Sequence, residues 1–290
     1  MTATATDRYF WTADNVRLHY RGYAGGSGDL PVLLCLPDLT RNARDFAQFA
    51  RCFAPRFRIL AASFRGRGDS GYAIDPLTYV PLTYLQDMTL LLDEADVRRC
   101  VIIGTGLGGI VALLLGSARP ARVAGLVLND SGPQLEQAGL LRVRQLIGRG
   151  DNWRSWLIAA REIARLQAQD YPDWTLEDWL PHAKRLCRLS REGRIVWDYD
   201  PEIAAPFDLP NPPAGGDALD LWLALAHFRD RPVLSLRGAL SDVLSTEGQK
   251  RMREHLPAMA TATIAGIGHA PTLAEPDSMA ALERFLASIV

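Results

Sequence analysis

Cysteine, net charge and long apolar runs are all scarce in this chain, and each shortage removes a class of function. The four cysteines among 290 residues, Cys35, Cys52, Cys100 and Cys187, lie far apart with no C-x-x-C pair. Neither a metal site nor a disulfide framework is suggested, and the four read as isolated thiols in a reducing compartment. The 32 Lys+Arg nearly cancel the 33 Asp+Glu, leaving a net charge of −1. Neutralising phosphates needs a basic excess, so no nucleic-acid partner is expected. The longest apolar stretch, 110–115, is far shorter than the roughly 18 residues that a membrane span requires. The opening MTATATDRYFW lacks the basic start and apolar core of a secretory signal, so the expectation is a cytoplasmic protein with no membrane partner. Nothing in the pattern speaks to oligomeric state.

What is present is ordinary globular material, 48% hydrophobic and 22% charged, enough for a sizeable core. Near the start, 8–11 and 16–20 flank an Asp14-Asn15 turn and alternate as a half-buried hairpin does. After glycines 25–28 the pattern changes. Short apolar runs bounded by turn residues appear at 31–36 (PVLLCL), 58–62 (RILAA), 101–103, 125–128 and 233–236, the pattern of strands buried on both faces. Between and after them lie helical stretches at 43–52, 84–95, 107–118, 246–256 and 278–289. Such alternation implies a parallel sheet with helices on both faces.

The alternation breaks once. Residues 134–216 carry no buried-strand run but hold five of the seven tryptophans, Trp153, Trp156, Trp174, Trp179 and Trp197. The expectation is a helical cap inserted at 134–216, rejoined through the linker-like PFDLPNPPAGG at 206–216 to a core domain made of 1–133 and 217–290.

The sharpest local motif is VIIGTGLGG at 101–109, a strand running through a glycine-rich turn into a helix. Gly104, Gly106 and Gly109 match G-x-G-x-x-G, with Asp130 about twenty residues on, as a dinucleotide site requires. Against that reading, several strands precede the motif, whereas the fingerprint normally opens a nucleotide domain. The same turn also matches a G-x-S-x-G nucleophile elbow in which Gly106 stands at the serine position. Three further segments then fall in order: RGRGDS at 65–70, LRGALSD at 236–242 and GIGHAP at 266–271.

On these motifs the chain resembles the α/β-hydrolase family, in particular its capped esterase, lactonase and epoxide-hydrolase-like branch, over essentially its whole length from Arg8. The resemblance implies an eight-stranded, mostly parallel sheet under a helical cap, with substrate between the two. It further implies a catalytic His269 oriented by Asp242, with Asp130 at the alternative acid position seen in some relatives, and oxyanion donors on the N–H groups of Leu39 and Leu107. The carboxylate fixes the imidazole tautomer and leaves the second nitrogen to move protons. Ser63, Phe64, Asp130, Ser131, Trp153 and Trp156 are candidate pocket residues.

Two departures bear on chemistry. Gly106 has no side chain with which to attack, and Asp38 stands where relatives carry the glycine before an oxyanion donor; a carboxylate there opposes the charge of a tetrahedral intermediate. The reading is therefore an enzyme without a serine nucleophile, in which His269 and Asp242, with Asp38, carry out non-covalent acid/base chemistry on a small apolar or aromatic carbonyl compound. The reaction would be that of a lyase, isomerase or decarboxylase, or direct attack by water, with no metal or organic cofactor. A carboxylesterase or lactonase inactivated at 106 and a non-catalytic binder on the same fold are the alternatives.

Overall fold

The computed structural model describes residues 4–26, 30–209 and 219–289. Part of the turn at 25–28, most of the expected linker at 206–216 and the expected boundary at 216/217 lie outside the described residues.

The core strands are β1 (Ala5–Trp11), β2 (Arg17–Tyr23), β3 (Val32–Leu36), β4 (Ile59–Ser63), β5 (Cys100–Thr105) and β6 (Val123–Asn129). After the insertion, which holds β7 (Asn152–Trp153), β8 (Cys187–Leu189) and β9 (Ile195–Trp197), come β10 (Val233–Gly238) and β11 (Ala260–Ile264). One eight-stranded sheet runs in the order β1-β2-β4-β3-β5-β6-β10-β11. The hairpin β1–β2 is antiparallel, as is the β2–β4 pair, while β4, β3, β5, β6, β10 and β11 are mutually parallel.

Every residue of β3, β4, β6 and β10 is buried, which is why these segments read as mostly apolar runs, interrupted in β10 by Ser235 and Arg237. Their side chains still alternate between the two faces. Leu34, Leu36, Ile102, Leu126 and Leu128 pack with α2 (Pro81–Glu94) and α3 (Leu107–Ala118), together with α7 (Leu221–Ala226) and α8 (Thr246–His255). Leu33, Cys35, Val101, Ile103, Val127 and Leu234 pack on the other face with Phe49 and Phe53 of α1 (Ala47–Phe53) and Leu282 and Phe285 of α9 (Pro276–Ala287). Two elements escaped the sequence reading. Edge strand β11 (ATATI) is mostly solvent-facing and has no apolar run to show, and α7 is only 6 residues long.

The chain between β6 and β10 carries α4 (Gln137–Gln145), α5 (Trp156–Gln167) and α6 (Leu176–Leu186). It is not wholly helical as expected: β7, β9 and β8 form a small antiparallel sheet. These strands have 2 or 3 residues each, too few to register as periodic runs. Trp153, Ala160, Ile163, Trp179, Leu186 and Ile195 gather in an apolar cluster of this segment's own, which also takes in Ile264 and Ile267 from the core. Among the described residues, no helix is long and apolar enough to cross a membrane.

The loop after β4 joins insertion to core. Arg65 is 1% exposed, and its guanidinium donates to both carboxylate oxygens of Asp87 at 2.8 Å each. Just beyond it, Gly68 N donates to Asp198 O at 2.9 Å, Asp200 N to Gly66 O at 2.7 Å, and Arg67 bridges antiparallel to Tyr199. Asp14, half-exposed, also bonds the Arg65 guanidinium, at 2.7 and 3.2 Å. Asp87→Ala removes the buried partner and leaves Asp14, so it is expected to destabilise the fold by about 1–3 kcal/mol, read as a lowered midpoint in chemical denaturation.

Candidate active site

Strand β5 ends at Thr105, and the chain reverses into α3 through Gly106 at φ 49, ψ −115. This is a positive-φ conformation that side chains rarely adopt. Neighbouring glycines serve close packing. A Cβ at Gly104 would collide with the backbone of Gly108, and one at Gly108 with the carbonyl of Leu36. Strand–helix contact therefore accounts for these glycines with no nucleotide.

Asp38 follows β3 and reaches across to this turn. Its Oδ1 accepts from Leu107 N at 2.8 Å, the Leu39 N–H also bonds the carboxylate, and its Oδ2 lies 3.2 Å from His269 Nε2. A Cβ at residue 106 would collide with Asp38 Oδ1. The carboxylate thus fills the space that a side chain at 106 would occupy, and it takes up the two N–H donors expected to form an oxyanion hole. It also sits at the positive end of α3, whose first N–H it caps.

His269 Nδ1 lies 2.7 Å from Asp130 Oδ2. Asp130 opens the loop after β6, is fully buried, and accepts as well from Gly238 N at 3.0 Å and Ser241 Oγ at 2.5 Å. The imidazole is therefore held between two carboxylates, Asp130 on one nitrogen and Asp38 on the other. Burial alone would push its pKa down, but hydrogen bonds to Asp130 and Asp38 and the charges of both raise it to about 10. Burial alone would push the Asp38 carboxyl up; the hydrogen bond and charge of His269, then the N–H groups of Leu107 and Leu39, hold it below its usual range.

The expected pairing of Asp242 with His269 is corrected by this geometry. Both Asp242 oxygens bond Arg142 at 2.7 Å, and this contact, the largest cause, depresses its carboxyl. Arg142 also grips Asp170 at 2.9 and 3.0 Å, and Asp170 accepts from His269 N at 3.1 Å. Asp242 thus supports the loop bearing His269 from outside, through an arginine of α4. Sequence order alone could not separate the two acids, because both follow the ends of neighbouring strands.

The cleft over Asp38 and His269 is walled by Pro37, Thr40, Arg41, Asp45, Thr105, Arg142, Val143, Leu146, Leu166, Gln167, Tyr171, Arg185, Trp197 and Tyr199. Most of the pocket residues expected from sequence lie elsewhere. Ser63 is buried against His19 Nδ1 and Ala43 N, each at 3.2 Å, and Phe64 stacks on Tyr84 in the core at 4.9 Å. Ser131 is buried and donates to the Gly106 carbonyl at 2.7 Å. Trp153 and Trp156 belong to the apolar cluster of the insertion; of the five tryptophans there, only Trp197 faces the cleft. The arginines were missed altogether, although Arg41 stands three residues beyond Asp38 in the same turn, with Arg41 N donating to Asp38 O at 2.9 Å. Among the described residues, no group of three or more His, Cys, Asp or Glu is placed to hold a metal ion.

The family model of the alpha/beta hydrolase family matches residues 32–282, and the chain belongs to that family. It is 45% identical to an alpha/beta hydrolase from Novosphingobium aromaticivorans whose crystal structure superposes with a TM-score of 0.93 over 100% of both chains. A 3-hydroxybutyrate-oligomer hydrolase of Cupriavidus necator is 29% identical over 275 residues, covering 92% of this chain and 93% of the relative. At 23% identity, a hydrolase structure from Rickettsia typhi shares the fold with a TM-score of 0.84, covering 99% of each chain.

With its pKa raised from 6.5 to about 10, His269 adds stability that is fully present below about pH 6.5 and is lost as pH rises through 10. Nitrogen NMR of the imidazole is expected to show a protonated ring well past pH 8. Asp130→Asn should bring the midpoint down by more than one pH unit, whereas Asp242→Asn should leave it nearly unmoved. A larger response to the Asp242 change would return that residue to the catalytic acid position.

Proposed function

We propose that this chain is a hydrolase-fold enzyme that works without an acyl-serine intermediate, with Asp38 and His269 moving protons on a small carbonyl compound and Asp130 orienting the imidazole. The observation that carries the reading is the Asp38 carboxylate, seated where a residue-106 side chain would stand and bonded to Leu107 N and His269. A merely disabled esterase would leave that space empty. In this reading, residues 134–216 act as the cap and the cleft beneath it admits the substrate.

The resting arrangement is an ion pair, and substrate entry sets its chemistry. A carbonyl group inserted between Asp38 Oδ2 and His269 Nε2 separates them. Losing the imidazolium raises the Asp38 pKa, and losing the carboxylate lowers that of His269, so each group moves toward the range where it exchanges protons. Asp38 then takes the proton from the carbon beside the carbonyl, and His269 donates to the oxygen as the enol forms. As the enol O–H gives its proton back to His269, delivery of the Asp38 proton to a different, conjugated carbon gives isomerisation, and departure of a group from the next carbon with its bonding pair, taking the Asp38 proton, gives elimination. The hydrolase name of the Cupriavidus necator relative favours a second reading, in which Asp38 deprotonates an attacking water and His269 protonates the leaving oxygen.

Two experiments test this. In deuterium oxide, a panel of small carbonyl compounds is expected to show deuterium uptake with the unaltered protein, while Asp38→Asn and His269→Gln should each lower the rate by about 10² or more. Hydrolysed product without exchange would select water attack, and neither activity would sink both readings. On short p-nitrophenyl esters between pH 5 and 9, Gly106→Ser alone should restore little, because its Cβ meets Asp38. Gly106→Ser with Asp38→Gly should exceed it by about 10² to 10³. Full esterase activity in the single variant would make a disabled hydrolase the better account.

A further inference from the structure

Of the three arginines that wall the cleft, Arg142 is balanced by two carboxylates, Asp170 and Asp242. The other two share one. Arg41 holds both oxygens of Asp45, Nε at 2.5 Å and Nη2 at 2.9 Å, while Arg185 Nε stands 3.6 Å from Asp45 Oδ1, beyond hydrogen-bond length. Among the described residues, the guanidinium of Arg185 makes one hydrogen bond, from Nη2 to His182 Nδ1 at 3.1 Å. His182 is no counter-charge. It is buried, its Nε2 pairs with Gln167 Oε1 at 2.8 Å, and burial together with Arg41 and Arg185 pushes it well below its usual pKa, so it stays neutral and accepts from Arg185. Burial lowers the Arg185 pKa, and the neighbouring Arg41 charge adds to this against the opposing pull of the shared Asp45. The rest of a planar donor fork, on a side chain 27% exposed, therefore opens into the cleft carrying one positive charge without its own partner.

We infer that Arg185, backed by Arg41, is a binding subsite for a free carboxylate on the substrate. A guanidinium fork matches a carboxylate with two parallel hydrogen bonds, and an anion there would make up the missing charge. Asp38 cannot supply it, being committed to Leu107 and His269. Val143, Leu146, Leu166 and Trp197 provide apolar wall for the remainder of the molecule. The substrate class is thus a carbonyl-bearing organic acid with an apolar body, its acid end at Arg185 and its carbonyl at Asp38 and His269. Only the placement of the carbonyl rests on the catalytic reading above; the acid subsite stands on the arginines alone.

Calorimetry with 3-phenylpropionate and the neutral 3-phenylpropionamide separates the two claims, since it reads binding and needs no turnover. The unaltered protein should bind the acid about tenfold or more tighter than the amide, and Arg185→Met should bring the two within about twofold. Arg185→Lys, which keeps the charge and loses the fork, should fall between and serves if the methionine variant does not fold. Equal affinity for acid and amide in the unaltered protein, an undiminished preference in Arg185→Met, or displacement of the acid by equimolar inorganic phosphate would each overturn the carboxylate subsite. A retained acid preference in a protein that turns over no carbonyl compound would support the subsite and refute the proposed chemistry instead.

Discussion

The line of charges Asp130–His269–Asp38 is the constraint on which the candidate site depends. Three elements meet in it: the loop after β6 supplies Asp130, the segment before α9 supplies His269, and the turn after β3 supplies Asp38. Each charge is buried or nearly so, and each is tolerable only because of the next. Asp130 is fully buried with three donors, His269 is placed between two acceptors, and Asp38 rests on backbone N–H groups at the start of α3. Taking the side chain away at residue 106 and placing a carboxylate at 38 are therefore one structural change. The glycine creates the space, and the aspartate fills it with a charge that the imidazole can pair.

A second network holds that centre against the insertion. Arg142 of α4 spans Asp170 and Asp242, Asp170 accepts from the backbone N–H groups of Gly268 and His269 through its carbonyl and carboxylate respectively, and Tyr171 Oη donates to Ala270 O at 2.7 Å. The loop bearing His269 is thus anchored from the insertion as well as from the sheet. On the far side, the loop after β4, fastened through Arg65 and Asp87, bonds the backbone of Asp198, Tyr199 and Asp200. The insertion that walls the cleft is thus tied both to the loop bearing His269 and to the loop after β4.

Arginine is used here in two different ways. Arg65 and Arg142 are each met by two carboxylates and act as struts. Arg41 and Arg185 divide a single carboxylate at the cleft wall. The distinction lies in the partners alone, since all four side chains carry the same fork.

The strands of the sheet centre were legible in the sequence because burial on both faces demands continuous apolar runs, and the glycine-rich turn and His269 were legible because tight backbone geometry and a reactive imidazole each need particular residues. Edge strand β11 and the short strands of the insertion left no such mark, one being solvent-facing and the others too brief for a period to show. The choice of acid lay beyond the sequence: Asp130 and Asp242 follow the ends of adjacent strands, and only their tertiary surroundings turn one toward His269 and the other onto Arg142. The same holds for Asp38, which the sequence singled out by its place after β3 but whose seat against Gly106 it did not show, and for Arg185, brought to the cleft from the end of α6. Local composition determines which backbone conformations and buried runs are possible. Which charges meet depends on approaches between segments 69 to 231 residues apart, and those exist only once the sheet and its insertion have packed.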